Sequence, residues 1–213
     1  MVKPIMGRIL SMGKLNKVHG GAIYLEPQNK VTHEDQVEIR KEIHTIQKES
    51  IGRYAASLIE PEDFVYLDAG TTTASMLPYL EEKKAVYVTN SLEIAMNLTK
   101  RGLTTYMIAG KIRQSTEAMV VCEAEKSIQN YHFTKGFFGT NGISKVHGFT
   151  TPDINEALVK KTAMNQCKRV YVLGDYTKYN VISSVTFSEL KGRNILSDQI
   201  PEEFTDMPEI VLC

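Results

Sequence analysis

Cysteine is scarce in this sequence, and the three cysteines, Cys122, Cys167 and Cys213, are far apart. No CxxC pair occurs among them, which excludes a disulfide framework and a zinc knuckle. The five histidines lack HxxxH and HExxH spacing, so the sequence supports no metal site. We therefore expect no metal, no cofactor and a reducing, cytoplasmic compartment.

Long apolar runs and an excess of either charge are also missing. The longest apolar stretches, such as residues 118–122, are far shorter than a membrane span, and the N-terminus lacks the apolar core of a signal peptide. The 25 basic and 25 acidic residues cancel. We expect a soluble chain with no membrane partner, whose 213 residues suit one domain or one domain with a short appendage.

The chain also lacks the signals of covalent catalysis. No GxSxG elbow occurs, so a nucleophilic serine is not indicated. Cys122 and Cys167 fall in segments that we predict to be helical, where cysteine is usually a core residue. The sequence therefore predicts no catalytic residue.

The even charge balance hides a basic N-terminal arm. No acid occurs before Glu26, whereas the first 25 residues contain the bases Lys3, Arg8, Lys14 and Lys17. Such an arm either follows a phosphate backbone or is a solvated terminus, and its charge alone does not separate these interpretations.

Short apolar segments alternate with helical ones along the rest of the chain. Apolar spacing predicts one long helix from Thr32 to Ile59, or two with a break, closed by Pro61. The alternation that follows is typical of βαβ units and predicts an α/β fold, with a mostly parallel, Rossmann-like sheet covered by helices on both faces. The predicted strands span residues 64–68, 85–90, 104–109, 136–140 and 169–174, with short ones near 183–186, 195–196 and 210–212. One predicted helix follows the loop at residues 69–73 and ends at about Leu80, and the others span 92–100, 118–130 and 155–167.

The loop from Asp68 to Thr73 joins a predicted strand to a predicted helix. Free N–H groups and the helix dipole favour an anion at such a place. Gly70 allows close approach of the backbone, and the hydroxyls of Thr71, Thr72 and Thr73 add donors. The loop has neither Walker nor dinucleotide-binding spacing. The alternative is a plain helix start with Thr71 as its N-cap.

Small polar residues follow the other predicted strands as well. Ligands of α/β sheets bind outside the carboxyl ends of the strands, so these residues predict a site for a polar small molecule. Lys178 is a natural phosphate partner, although each segment alone is also compatible with a surface turn. The candidates are Asn90, Ser91, Lys111, Thr140, Asn141, Gly142, Thr150, Thr151, Asp153, Asp175 and Lys178.

Together these segments resemble the C-terminal effector domain of the DeoR family of bacterial transcription regulators, particularly those of sugar phosphotransferase operons. The resemblance runs from Lys17 to about Asp198. It is carried in order by His19–Ala22, Leu67–Thr73, Val88–Ser91, Gly139–Ser144, Gly148–Asp153 with Glu156 and Ala157, and Asp175 with Lys178.

The resemblance implies a fold similar to ribose-5-phosphate isomerase and a phosphorylated sugar as effector. It implies that Gly70–Thr73 wrap the phosphate or the sugar and that Asn90 and Ser91 line the rim. Thr140–Gly142 and Thr150–Asp153 would complete the pocket, and Lys178 would contact the anion, with Lys160 as an additional candidate.

The same resemblance predicts the domain organisation. Such regulators begin with a winged helix-turn-helix that ends just before the His-Gly-Gly-Ala segment, and here Lys14–Val18 resemble its last wing strand. We expect residues 1–32 to be a basic arm with a remnant of the wing and a linker, and residues 33–213 to be the sugar-phosphate effector-binding domain. In this interpretation the chain is either truncated or naturally shortened and has lost its helix-turn-helix. Operator DNA would be bound only through that missing N-terminal domain. We also expect a homo-oligomer.

Two other functions remain open at this point. A sugar-phosphate isomerase needs a base at an acidic C–H and a group that holds the enediolate. Residues 139–142 offer no carboxylate, which leaves Asp153 and Glu156 as candidate bases. An interaction module with the helix of residues 32–59 as its dimer face is compatible with a sensor. Tyr176, where the family usually has serine, either narrows the pocket or faces solvent.

Overall fold

The computed structural model describes residues 15–18, 21–24, 29–31, 37–120 and 122–213. No helix of this described part is long and apolar enough to cross a membrane. The strands and helices are, in chain order, β1 Leu15–Val18, β2 Gly21–Tyr24, β3 Asn29–Val31, α1 Val37–Glu42, α2 Thr45–Ser57, β4 Phe64–Leu67, α3 Thr71–Ala74, β5 Val86–Thr89, α4 Leu92–Lys100, β6 Thr104–Met107, β7 Lys111–Arg113, β8 Ala118–Val120, α5 Cys122–Gln129, β9 Phe133–Gly139, β10 Gly142–Ser144, β11 Gly148–Thr151, α6 Ile154–Asn165, β12 Cys167–Leu173, β13 Val181–Ser183, β14 Val185–Ser188, β15 Asn194–Ser197 and β16 Ile210–Leu212.

A seven-stranded parallel sheet forms the centre of the molecule, as the alternation of strands and helices predicts. Its order is β16-β15-β12-β9-β4-β5-β6. The chain runs outward from β4 to β6, returns to place β9 on the other side of β4, and then continues outward to β16. The direction of winding therefore reverses between β4 and β9, which is where ligands bind in open α/β sheets.

Helices cover both faces of the sheet because the strands alternate their buried side chains. Along β4, Tyr66 belongs to the core beneath α5 and α6, whereas Val65 and Leu67 belong to the core beneath α2 and α4. All three side chains are fully buried. Since central strands such as β4 and β5 bury apolar side chains on both faces, the sheet sits between two helical layers, and its strand ends are the places left for polar chemistry.

The N-terminal helical segment is broken in two at His44, which confirms the second of the two alternatives. His44 has a left-handed backbone with φ 53°, between α1 and α2. An α-helix cannot continue through a residue in that conformation. The predicted start of the segment at Thr32 lies outside the described residues. Lys41 of α1 also forms a 2.9 Å ion pair with Glu93 of α4.

Several predicted elements were wrong in type or length. Residues 118–130 are not one helix, because Ala118–Val120 form β8 and pair with β7 in an antiparallel hairpin, and only Cys122–Gln129 are helical. Glu117 turns this hairpin at φ 52°, a signal that apolar spacing does not carry. Cys167 begins β12 and does not end a helix.

Other boundaries were also placed wrongly. The helix expected up to about Leu80 is the four-residue α3 followed by a 3-10 turn over Leu77–Tyr79. The strand expected from Gly136 begins at Phe133. The short strand expected over 183–186 is two strands, β13 and β14, in different sheets. β13 pairs with β3, and β14 forms a small antiparallel sheet with β10 and β11. The strands β10 and β11 were not predicted.

Gly52 provides a test of the packing between α2 and α3. A Cβ at Gly52 would lie 2.4 Å from Ser75 Oγ and 2.6 Å from the Ser75 backbone. Although alanine favours a helix over glycine by about 1 kcal/mol, this overlap costs about 1–3 kcal/mol. We expect Gly52→Ala to lower the urea midpoint, whereas Arg53→Ala on the exposed side of α2 leaves it nearly unchanged. An unchanged midpoint in Gly52→Ala would contradict this packing.

Candidate functional site

A cavity lies at the carboxyl ends of β4 and β9, where the winding of the sheet reverses. Segments from both halves of the sheet and from α1, α2 and α6 contribute to it. Its lining residues are Arg40, Ile43, Lys48, Ala69, Gly70, Thr71, Thr72, Thr116, Gly139, Thr140, Asn141, Glu156, Lys160 and Lys178.

A buried ion pair between Asp68 and Lys160 joins the two central strands beneath the cavity. Asp68 is 1% and Lys160 4% exposed. The Lys160 ammonium donates to Asp68 Oδ2 and, at 3.1 Å, to the Gly139 carbonyl, while the Gly139 N–H donates to the same carboxylate at 3.1 Å. Asp68 does not line the cavity itself. These contacts give Asp68 the role of joining the ends of β4 and β9.

The loop after β4 contributes backbone and hydroxyl groups to the wall. Gly70, Thr71 and Thr72 line the cavity, whereas Thr73 is buried behind it with no hydrogen-bond partner for its hydroxyl. The N-cap of α3 is Gly70, so the expectation of Thr71 as N-cap was wrong. A Cβ at Gly70 would make ordinary van der Waals contacts, the nearest at 3.8 Å from Thr73 Oγ1, so the local packing does not require glycine.

Asn90 and Ser91 lie outside the cavity lining and hold neighbouring backbone in place. The Asn90 side-chain oxygen accepts the Ala69 N–H at 2.8 Å. Ser91 is the N-cap of α4, and its hydroxyl accepts the Ile94 N–H at 3.3 Å. Both residues therefore fix the position of neighbouring backbone, which is a supporting role for the site.

The loop after β9 forms a second wall. Thr140 and Asn141 line the cavity, and Gly142, Thr150 and Thr151 lie behind them. The Thr140 hydroxyl donates to the Gly142 carbonyl at 2.9 Å, and the Thr151 hydroxyl donates to the Asn141 side-chain oxygen at 3.2 Å. Gly142 is needed here because a Cβ would lie 2.3 Å from the Val181 carbonyl oxygen.

The predicted charged candidates divide between the cavity and its surroundings. Lys178 lines the cavity, and its ammonium lies 3.9 Å from Oδ2 of the fully buried Asp175. Asp153 is the N-cap of α6 and accepts the Glu156 N–H at 3.0 Å. Lys111 is exposed on β7, outside the lining.

Lys48 is one of the cavity residues that the sequence interpretation missed, together with Arg40, Ile43 and Thr116. It is 5% exposed, and its ammonium donates to the Arg40 carbonyl of α1. Burial lowers the pKa of Lys48 to about 8, since the attraction of Asp175 is opposed by the nearby charges of Lys178 and Arg40. A signal did exist in the sequence, because Lys48 lies three residues before Ile51 on the apolar side of α2.

Glu156 is held by the β7–β8 hairpin. Its Oε1 accepts hydrogen bonds from the Arg113 guanidinium at 2.8 Å and from the Thr116 hydroxyl at 2.6 Å. Arg113 also lies 3.6 Å from Asp153. Both carboxylates considered as bases of an isomerase are thus bound by protein groups. Glu156 binds Arg113 and Thr116, and Asp153 lies near Arg113 and accepts N–H groups at the start of α6.

The remaining candidates do not reach the cavity. Tyr176 is 41% exposed and packs edge-on against His44 at 5.8 Å between ring centroids, so it faces outward instead of narrowing the pocket. Burial raises the pKa of the Cys167 thiol to about 12, which makes it a poor nucleophile. The side chain of Cys122 lies outside the described residues, as does His19. The described residues contain no cluster of three metal-ligating side chains.

The arrangement as a whole suits an anion that carries further polar groups. Arg40, Lys48, Lys160 and Lys178 bring positive charge to the wall, and threonine hydroxyls and loop backbone lie between them. Ammonium and guanidinium groups form strong charge-assisted hydrogen bonds with phosphate oxygens.

Known proteins similar to this chain include transcription regulators and a sugar-phosphate isomerase. Over residues 43–199 the chain matches the family model described as DeoR C terminal sensor domain. It is 37% identical over 197 residues to the HTH-type transcriptional regulator FruR of Bacillus subtilis, covering 89% of this chain and 75% of that protein. It is 30% identical over 184 residues to the lactose phosphotransferase system repressor of Staphylococcus aureus, covering 84% and 71%. Ribose 5-phosphate isomerase A of Methanocaldococcus jannaschii aligns with 62% of this chain and 53% of that one, at a TM-score of 0.46 and 15% identity.

Proposed function

The chain belongs to the DeoR family of transcription regulators, with its C-terminal sensor domain at residues 43–199, and from this premise we propose that the cavity binds a phosphorylated sugar as effector. The observation that carries the proposal is the position of Lys48. Its ammonium is buried near the carboxylate of Asp175 and the positive charges of Lys178 and Arg40, and burial lowers its pKa to about 8 in spite of the attraction of Asp175. An anion in the cavity would stabilise this buried charge, and a phosphate offers enough oxygens to contact several donors at once.

We propose that effector binding changes the position of α1. The Lys48 ammonium that faces the cavity also donates to the Arg40 carbonyl, and Arg40 and Ile43 themselves line the wall. A phosphate that competes for this ammonium would alter the contact between α2 and α1. An effector controls DNA binding only if it has different affinities for two conformations, and this contact offers a difference.

The remainder of the proposal concerns the full-length protein. FruR is named as an HTH-type regulator, and the protein from Staphylococcus aureus is named as a repressor of a phosphotransferase system. We propose that the full-length protein is a homo-oligomeric repressor of sugar metabolism that binds operator DNA through an N-terminal helix-turn-helix. Residues 1–32 would form the arm and linker, and residues 33–213 the effector-binding domain.

A sensor is favoured over a sugar-phosphate isomerase. The family and the relatives are transcription regulators. Glu156 is bound to Arg113 and Thr116, and Asp153 caps α6, so both candidate bases already serve the protein.

A calorimetric screen tests the proposal. The ligands are fructose 1-phosphate, fructose 6-phosphate, tagatose 6-phosphate, glucose 6-phosphate, their unphosphorylated parent sugars and inorganic phosphate, with NMR of the same samples to detect conversion. Saturable binding of one phosphorylated sugar without turnover would support the sensor. Absence of binding by every phosphorylated sugar would refute it for this panel, and conversion of the bound ligand would establish the isomerase.

The affinity for the effector is expected to fall above pH 8. The pKa of Lys48 is about 8 in the free protein, and a bound phosphate raises it, so binding takes up a proton as the pH passes this value. Titrations between pH 7 and 9.5 avoid the second ionisation of the phosphate near pH 6. Calorimetry in buffers of different ionisation enthalpy measures the proton uptake, which Lys48→Met should abolish. An affinity that is constant over this range would contradict the role of Lys48.

A further inference from the structure

The strand β3 is attached to the rest of the described chain through β13. Asn29–Val31 of β3 lie opposite Val181–Ser183 of β13 in a parallel sheet of two strands. Such a short sheet is marginally stable without further support, and parallel pairing is slightly weaker than antiparallel pairing. The pairing of β3 therefore depends on how firmly β13 itself is held.

One wall of the cavity holds β13 through a buried threonine. The Ser183 N–H donates at 2.9 Å to the hydroxyl of Thr150, which is fully buried. The Thr150 carbonyl accepts the N–H of Asn141 at 3.1 Å, and Asn141 lines the cavity. The neighbouring Gly142 packs against the Val181 carbonyl so closely that no Cβ would fit there. These contacts join β13 to the loop that follows β9.

The chain that leads into β13 comes from another part of the cavity wall. Lys178 lines the cavity at the end of the 3-10 turn that precedes β13. Between this turn and β13, Asn180 has a left-handed backbone with φ 59°, and its N–H donates to the Ile143 carbonyl of β10 at 2.9 Å. The strand β13 is thus connected to Lys178 along the chain and to Asn141 through Thr150.

We propose that β13 is the docking strand through which the cavity controls the linker, and that an occupied cavity strengthens the pairing of β13 with β3. This inference rests on the proposed function. A phosphate that contacts Lys178 and the loop of Asn141 would restrict both supports of β13 at once. Because β3 belongs to the segment that we propose as arm and linker, its paired and unpaired forms are two states that a ligand in the cavity would populate differently.

One donor of this small sheet lies on β3, where it can be removed without a change in the cavity. Successive N–H groups of a strand point to opposite sides. The Ser183 N–H points to Thr150, so the Ile182 N–H faces β3. In the parallel register of Ile182 with Lys30, the Val31 N–H then faces β13 and the Lys30 N–H faces away. Val31→Pro therefore removes a donor of the sheet, whereas Lys30→Pro keeps that donor.

The support of β13 is tested without any ligand. We expect Thr150→Val to accelerate hydrogen exchange of the Val31 amide several-fold, because the buried Ser183 N–H loses its acceptor. Thr186→Val is the matched control, since Thr186 is an exposed threonine that lies opposite Thr150 on β14. NMR measures the exchange of single amides. An unchanged Val31 rate in a folded Thr150→Val would overturn the inference, and if this variant unfolds, the two proline variants decide.

The control by the cavity is tested with the sugar phosphate of the calorimetric panel that binds most tightly. We expect Val31→Pro to weaken its binding about fivefold or more, because a ligand that strengthens the pairing must bind less tightly when the pairing is lost. Lys30→Pro should bind with wild-type affinity. The same ligand should slow exchange of the Val31 amide in the wild-type chain.

The contrary results are distinct. Equal affinities of Val31→Pro and Lys30→Pro, or a Val31 exchange rate that the bound ligand leaves unchanged, would overturn the inference and leave the proposed function standing. Failure of the wild-type chain to bind any phosphorylated sugar refutes the proposed function and the control by the cavity with it. The ligand-free exchange of Thr150→Val still shows in that case whether Thr150 supports β13.

Discussion

Lys48→Met is expected to weaken binding of the tightest sugar phosphate at least tenfold without lowering the free energy of unfolding. A hydrogen bond from a charged group contributes about 1.5–3 kcal/mol to binding. Methionine keeps the apolar stem of lysine within the packing of α2. Burial lowers the pKa of the wild-type ammonium to about 8, so the charge is disfavoured in the folded protein, and its removal is expected to offset the loss of the hydrogen bond to the Arg40 carbonyl.

The pH dependence of stability gives an independent measurement of the same residue. Between the folded pKa of about 8 and the ordinary lysine value of 10.5, the unfolded chain binds more protons at Lys48 than the folded chain does. The free energy of unfolding therefore gains a contribution that rises with pH across this window. Lys48→Met should lose that contribution. Comparison of urea unfolding at pH 8 and pH 10 in the two proteins measures it.

Lys161→Met is the matched control for this experiment. Lys161 is an exposed lysine of α6 outside the cavity lining, so its loss should change neither the affinity nor the pH dependence of stability. Wild-type affinity in Lys48→Met would remove Lys48 from the effector site. A large drop in its melting temperature would show that the ammonium stabilises the fold instead.

Asp68→Asn is expected to destabilise the protein by about 3–5 kcal/mol, because it leaves a buried ammonium without its counter-charge. Lys160 is 4% exposed, and after the change its two acceptors, the amide oxygen at position 68 and the Gly139 carbonyl, are both uncharged. For a chain of this size the melting temperature should fall by about 10 °C. Calorimetric melting of the variant measures the loss.

Two further variants distinguish the effect of removing the whole buried ion pair from the effect of removing one of its charges. Asp68→Asn combined with Lys160→Met removes both charges and should recover much of the loss, as is common when a buried ion pair is replaced whole. Asp206→Asn breaks the exposed 2.6 Å pair with Lys145 and should leave the melting temperature nearly unchanged, because water screens such a pair. A loss in Asp68→Asn no larger than in Asp206→Asn would show that the buried pair does not hold the strand ends together.

The sequence predicted the strands of the central sheet better than the hairpin beside it. Strands such as β4 and β5 are buried on both faces, so a continuous run of apolar residues predicts them. The helix α4 was predicted at its observed bounds of Leu92–Lys100. The β7–β8 hairpin was missed because it depends on the backbone at Glu117 and on pairing with Lys111–Arg113. An apolar run of three residues does not distinguish such a strand from the start of a helix.

The site was predictable where it consists of strand-end loops. The loops after β4 and β9 follow from the position of the strands, which is why Gly70 and Thr140 were identified. Lys48 and Thr116 enter the cavity from a helix and a hairpin whose positions depend on tertiary packing. The roles of Asn90 and Asp68 likewise depend on which backbone groups come near them, information that a strand-end motif does not contain.

The reversal of winding between β4 and β9 has a consequence for the order of folding. The pairing of β4 with β5 joins residues 22 positions apart, as in the bond between Leu67 and Thr89, and β9 with β12 likewise pairs neighbouring parts of the chain. The seam between the two halves joins Asp68 to Gly139 and to Lys160, which are 71 and 92 positions away. Closing such long loops costs more entropy and slows the formation of the contacts that depend on them. The cavity lies on this seam, so each half of the sheet can assemble first, and the proposed effector site is complete only when the two halves join.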